Sequence, residues 1–144
     1  MAQSDLIVVG VDGSKHSRKA LEWALDLAQT QHRPVLAVST WSNPPAATDP
    51  PFASFPWGNS VDLGPATRDM LNAIVEEVGD GYRDVEVRCR AVAGNAAQEL
   101  IRLSEEAGLV VVGARGHGGF VGMLIGSVSQ HVLAHSRCTV VVVR

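Results

Sequence analysis

The segment Gly113-Ala114-Arg115-Gly116-His117-Gly118-Gly119-Phe120-Val121-Gly122-Met123-Leu124-Ile125-Gly126-Ser127 decides how this chain is read. It follows directly on Leu109-Val110-Val111-Val112, a short apolar run of the kind that forms a buried strand. It runs into Ser127 to Ala134, which reads as a short helix. Six of the chain's 14 glycines lie between Gly113 and Gly126. Glycine permits positive φ and lets a ligand approach the backbone closely. A helix N-terminus adds unpaired N–H groups and the positive end of a dipole. Together they make a phosphate cradle, to which Ser127 adds a hydroxyl.

Two common phosphate motifs do not fit. A P-loop needs GxxxxGK[ST], and no lysine follows any glycine here. A dinucleotide fingerprint needs GxGxxG; Gly116-His117-Gly118 supplies its first half, but the closing position is Val121. What remains is the spacing Gly113-x2-Gly116-x9-Gly126-Ser127.

Outward from this window, strands and helices alternate. Leu6-Ile7-Val8-Val9, ending in Gly10, reads as a first strand. A helix is expected from Lys15 to Gln31, with Ser14 as N-cap and Ala20, Leu21, Ala24, Leu25 and Ala28 on one face. Pro34 is expected to stop it, and Val35 to Thr40 is a second apolar strand. Residues 43–66 read as a long loop, with five of the seven prolines between Pro44 and Pro56, mixed with Phe52, Phe55 and Trp57. A helix is expected from Thr67 to Val78. A strand from Val85 to Val92 alternates Val85, Val87, Cys89 and Ala91 with Glu86, Arg88 and Arg90, which suits a sheet edge. A helix from Asn95 to Ala107, ended by Gly108, precedes the strand at Leu109; Thr139 to Val143 is the last strand. This order predicts a parallel α/β sheet with right-handed crossovers and helices on both faces.

Composition narrows the function. The chain has 144 residues with 46% hydrophobic and 19% charged, enough for a single domain over 1–144 with its own core. A net charge of −3, with no polybasic tract, gives no general attraction to nucleic acid or to anionic membrane. No apolar stretch approaches the roughly 18 residues of a spanning helix, and the N-terminus lacks the pattern of a secretory signal. Cys89 and Cys138 form no CxxC and no metal spacing with histidine, so a reduced cytoplasmic protein with two buried thiols is expected.

The glycine spacing resembles the ATP-binding signature of the universal stress proteins. Val9-Gly10-Val11-Asp12-Gly13-Ser14 resembles that family's first-strand motif. Gly94-Asn95-Ala96-Ala97 resembles the turn into its third helix, and Cys138-Thr139-Val140-Val141-Val142-Val143 its terminal strand. The resemblance implies a five-stranded Rossmann-like sheet, of the adenine-nucleotide α-hydrolase-like kind, in the order 3-2-1-4-5. The alternating strand then falls at an edge, and the winding reverses between strands one and four, where ligands of such sheets bind.

The resemblance also implies a site for ATP with Mg²⁺. Gly10 and Val11 would flank the nucleotide on the first strand's side, and Asp12 would hold the metal. Thr40 would read adenine through its backbone. Gly113 would lie near the ribose; Gly116, Gly126, Ser127 and the Val128 amide would hold phosphates. Arg115, His117 and Ser129 complete the expected set. Each has a plainer reading. Asp12 suits a turn or cap, Arg115 and His117 a solvated loop, and Ser129 the first helical turn. His131 and His135 stand four apart without a third ligand, and Trp23 with Leu27 reads as helix packing.

The expected activity is that of a nucleotide-dependent stress regulator. A slow ATP hydrolase and a receptor for cyclic AMP or another adenine nucleotide are the alternatives. His117 is the only general base the window offers. The uncharged run Thr139 to Val143 would form an open sheet edge, so a homodimer joined through the last strands is expected.

Overall fold

The apolar runs become the middle of a parallel sheet. The computed structural model describes residues 4–42, 62–116 and 125–144. Its strands are β1 (Ile7–Gly10), β2 (Val35–Trp41), β3 (Val87–Ala93), β4 (Leu109–Gly113) and β5 (Thr139–Val143). Its α-helices are α1 (Lys15–Gln31), α2 (Gly64–Val78), α3 (Ala96–Leu103) and α4 (Ser127–His135). All five strands are parallel, in the order β3-β2-β1-β4-β5.

Period-two alternation divides the core into two layers. Ile7 and Val9 pack with Leu21, Leu25, Leu71 and Ile74, beneath α1 and α2. Val8 points the other way and packs with Leu100, Leu103, Val110 and Val132, beneath α3 and α4. On β3 only one face is covered, so its residues alternate between half-buried and exposed, as an edge strand requires. Among the described residues, no helix is long and apolar enough to cross a membrane.

Capping sets the ends of α1. Ser14 accepts from the Ser17 N–H at the N-terminus. At the other end His32 takes the left-handed conformation at φ 55°, so the helix stops at Gln31, before Pro34 can act.

Three expectations are corrected. The helix expected from Thr67 begins at Gly64, because Pro65 suits a first helical turn, where no N–H is needed. The strand expected from Val85 begins at Val87; the Val85 N–H is taken by the Tyr82 carbonyl in a turn, and only the Glu86 carbonyl reaches β2, at Val35. The third helix ends at Leu103 and not at Ala107. There the buried Ser104 donates its hydroxyl to Ile101 and accepts the Arg137 N–H, and the next two residues bond three positions back in a tighter turn. Gly108 therefore caps nothing. Its N–H donates to the Leu6 carbonyl, and a Cβ there would collide with the Ser4 carbonyl oxygen.

The packing expected of Trp23 and Leu27 holds for Leu27, which rests on the core, whereas Trp23 is 39% exposed. Cys89 packs against the α1/α2 layer and Cys138 against the other, and each is half-buried. Burial pushes the Cys89 thiol pKa up, as for an unreactive cysteine.

Candidate functional site

The sheet order puts the carboxyl ends of β1 and β4 side by side, with α1 leaving one and the glycine window leaving the other. A cleft of about 160 Å³ opens there. Gly10, Val11 and Asp12 line one side, Gly113, Arg115 and Gly116 the other, and Gly126, Ser127, Val128 and Ser129 close it. Thr40 lines it from β2. Eleven of the twelve expected residues thus meet in one cleft; His117 lies outside the described residues.

Each side is held by bonds that sequence spacing does not reveal. Asp12 Oδ1 accepts the Ser14 N–H at 2.8 Å, so the turn role is realised. The other carboxylate oxygen, Oδ2, faces Gly116 across the cleft. Ser14 Oγ reaches the Arg115 carbonyl at 3.5 Å, spanning the same gap. The Val11 carbonyl accepts from the buried Ser39 hydroxyl at 2.5 Å, which pins the β1–α1 turn to β2.

The three glycines of the signature serve different purposes. At Gly113 a Cβ would stand 2.7–2.9 Å from the backbone and Cβ of His16, so α1 can pack on β4 only if that position is bare. At Gly116 a Cβ would collide with Asp12 Oδ2, so this glycine makes room for the carboxylate. Among the described residues a Cβ at Gly126 would meet nothing nearer than 3.4 Å, and its φ of −74° suits any residue. Nothing in the described protein requires glycine there.

Two expected contributions take another form. The Gly126 N–H donates to the Ala114 carbonyl at 2.6 Å, closing the window's base, so Gly126 can offer a ligand only its missing side chain. The Ser129 hydroxyl donates to the Gly113 carbonyl at 2.6 Å, fastening α4 to β4. No side chain caps α4. Its first-turn amides, at Ser127 and Val128, therefore have no intrahelical acceptor and stand at the rim of the cleft.

Sequence reasoning missed the apolar wall. Val38, Ala96, Leu100 and Val112 line the cleft opposite Asp12's turn. Leu100 shares the buried face of α3 with Ala97 and Leu103, a pattern that reads as core and not as cleft. Ser17 was legible as a polar residue on the buried face of α1; its hydroxyl donates to the Ser14 carbonyl and accepts from the Asp12 N–H. The cleft thus combines the first-turn amides of α4, the cation of Arg115 and the carboxylate of Asp12 with an apolar lining of Val38, Ala96, Leu100 and Val112.

The model of the universal stress protein family matches residues 4–144. The chain belongs to the universal stress protein family. It is 37% identical over 142 residues to universal stress protein Rv2623 of Mycobacterium tuberculosis, covering 96% of this chain and 44% of that one. It is 36% identical over 140 residues to universal stress protein Rv1996 of the same organism, again covering 96% of this chain and 43% of the relative. The chain therefore spans less than half the length of the curated relatives it matches. Among solved structures, a universal stress protein in complex with cAMP superposes with a TM-score of 0.66 at 25% identity, over 99% of this chain and 98% of that one. The universal stress protein UspA from Lactobacillus plantarum superposes at 0.68 with 22% identity over the whole of both chains, a likeness of fold.

Proposed function

We propose that the cleft binds an adenine nucleotide, ATP with Mg²⁺ before others, and that occupancy regulates the protein in a stress response. The observation that carries this is Gly126. Its side chain is missing where no described residue needs the space, directly beneath the first-turn amides of α4 at the sheet's winding reversal. An anion seated there takes the Ser127 and Val128 amides, with Arg115 beside it. The apolar wall of Val38, Ala96 and Leu100 takes the base, whose identity is then read by main-chain groups near Thr40.

Asp12 fits a cation better than it fits a bare phosphate. Two anions facing one another need a metal between them. Among the described residues no group of three or more His, Cys, Asp or Glu could hold a metal. Asp12 would supply one ligand, phosphate oxygens and water the rest, which is the usual habit of Mg²⁺. Regulation requires that ATP bind one conformation better than another, since a ligand shifts an equilibrium only by that difference.

A second reading has its own support. A relative of 25% identity is described in complex with cAMP, and a cleft that reads adenine and one phosphate accepts either ligand. Competition calorimetry with ATP, AMP and cyclic AMP decides. Tightest binding of ATP, strengthened by Mg²⁺ and lost in Asp12→Asn, supports the first reading. Preference for cyclic AMP without any Mg²⁺ effect supports the second, and no binding of any of the three refutes both. Single-turnover ATP hydrolysis by wild type and His117→Ala separates a regulator from a slow hydrolase.

We also propose a homodimer joined through the last strands. β5 is a sheet edge with no charge between Thr139 and Val143. Such an edge leaves a row of ladder groups for a second copy.

A further inference from the structure

The exposed side of α4 carries a feature that the nucleotide reading does not use. His131 and His135 are both exposed, one helical turn apart, and their rings face each other with centroids 5.7 Å apart at 39°. A favourable charge at a helix C-terminus accounts for His135, the last residue of α4, but not for His131 in its middle. The helix buries only Ser129 and Val132, so neither imidazole is needed for packing.

We infer that His131 and His135 form a chelating site for a borderline divalent transition cation such as Cu²⁺, Ni²⁺ or Zn²⁺. Positions i and i+4 rise about 6 Å along a helix, which brings two side chains together on one face. Two imidazoles sharing one ion, each nitrogen about 2.0–2.1 Å from it, hold their centroids roughly 5 Å apart. The observed 5.7 Å reaches that with a small side-chain rotation and no backbone change. Neutral imidazole selects Cu, Ni and Zn, whereas Mg²⁺ and Ca²⁺ prefer oxygen. Among the described residues no further His, Cys, Asp or Glu joins the pair to make three, so water completes the coordination and the site stays open to an added ligand. Val128 lies three positions before His131 on the same stripe and lines the cleft, so the ion would sit one turn below the cleft's rim.

The test is a titration of the full chain with Cu²⁺, read by calorimetry and by electron paramagnetic resonance. The expected result is one saturable site per chain with coupling to two nitrogens, unaffected by a large excess of Mg²⁺. His131→Gln and His135→Gln each weaken it by at least about tenfold, because each removes a direct ligand. Both substitutions are at exposed positions, and circular dichroism verifies the fold. Zn²⁺ should also raise the melting temperature of the wild type and not of the double variant. Absence of a saturable site, or both single variants binding as tightly as wild type, overturns the proposal. Neither outcome bears on the nucleotide cleft, whose residues are untouched.

Discussion

Replacing Gly126 by alanine should weaken nucleotide binding while leaving the protein folded. The added Cβ would sit 3.4 Å from the Ala114 carbonyl oxygen, 3.6 Å from Arg115 Cα and 3.8 Å from Gly116 N, all ordinary contacts. The backbone at φ −74° and ψ 168° is open to alanine. Two small effects on stability then oppose each other. Alanine stiffens the unfolded chain, which stabilises by about 0.4–1 kcal/mol. It is a poorer N-cap than glycine, which costs a similar amount, about 0.5–1 kcal/mol. The net change is close to zero, and the melting temperature should move by no more than a few degrees.

The effect on the ligand is larger. A methyl group at Gly126 stands between an anion and the first-turn amides. Loss of one hydrogen bond to a charged group is worth about 1.5–3 kcal/mol. At 1.4 kcal/mol per decade, that is roughly a tenfold to hundredfold weaker Kd. Isothermal titration with ATP and Mg²⁺ reads the affinity, and thermal unfolding of the free protein reads the fold. Unchanged affinity in a folded variant refutes the cradle. A melting temperature lowered by ten degrees or more refutes the packing argument instead. Gly113→Ala cannot serve this purpose, because its Cβ would press on the His16 backbone and disturb α1 first.

Other outcomes follow from the same geometry. Ser39→Ala leaves the buried Val11 carbonyl without its hydroxyl donor and should cost about 1–3 kcal/mol in urea unfolding; a smaller loss would mean that the bond does not hold the β1–α1 turn. Burial raises the Cys89 pKa, so the folded state holds that proton more tightly than the unfolded chain. The resulting stability is complete below the unfolded thiol's pKa of about 8.5 and is lost as pH rises through the folded value. Urea midpoints between pH 7 and 10 should fall less steeply in Cys89→Ala than in wild type, and equal slopes would contradict this. For the dimer, wild type should sediment as a pair of chains and Val143→Lys as a folded monomer; a wild-type monomer, or a variant that still pairs, counts against the β5 edge.

Much of this protein is written locally. The apolar runs at Ile7, Val35 and Leu109, the alternation along β3 and the Ser14 cap each follow from a few neighbouring residues. Strand–helix alternation then leaves a parallel sheet as the natural assembly. Eleven of the twelve expected residues line one cleft because ten of them cluster in two short stretches, 10–12 and 113–129, that the fold brings together, with Thr40 joining from β2.

The remainder depended on pairs of residues far apart in the chain. Nothing around Gly108 shows that the backbone at Ser4 passes against it, nor around Gly113 that His16 does. Ser104 ends α3 early because Arg137 comes to it from beyond α4. The wall of Val38, Ala96, Leu100 and Val112 is assembled from three elements, β2, α3 and β4, whose own patterns said only that they were apolar. By itself the sequence determined which elements form and which glycines are grouped, because propensity, capping and periodicity are properties of neighbours. Only the tertiary structure decided what each glycine is for. Gly113 admits a helix, Gly116 a carboxylate, and Gly126 nothing that the described residues supply, because close approach is a property of two segments that meet only in the fold.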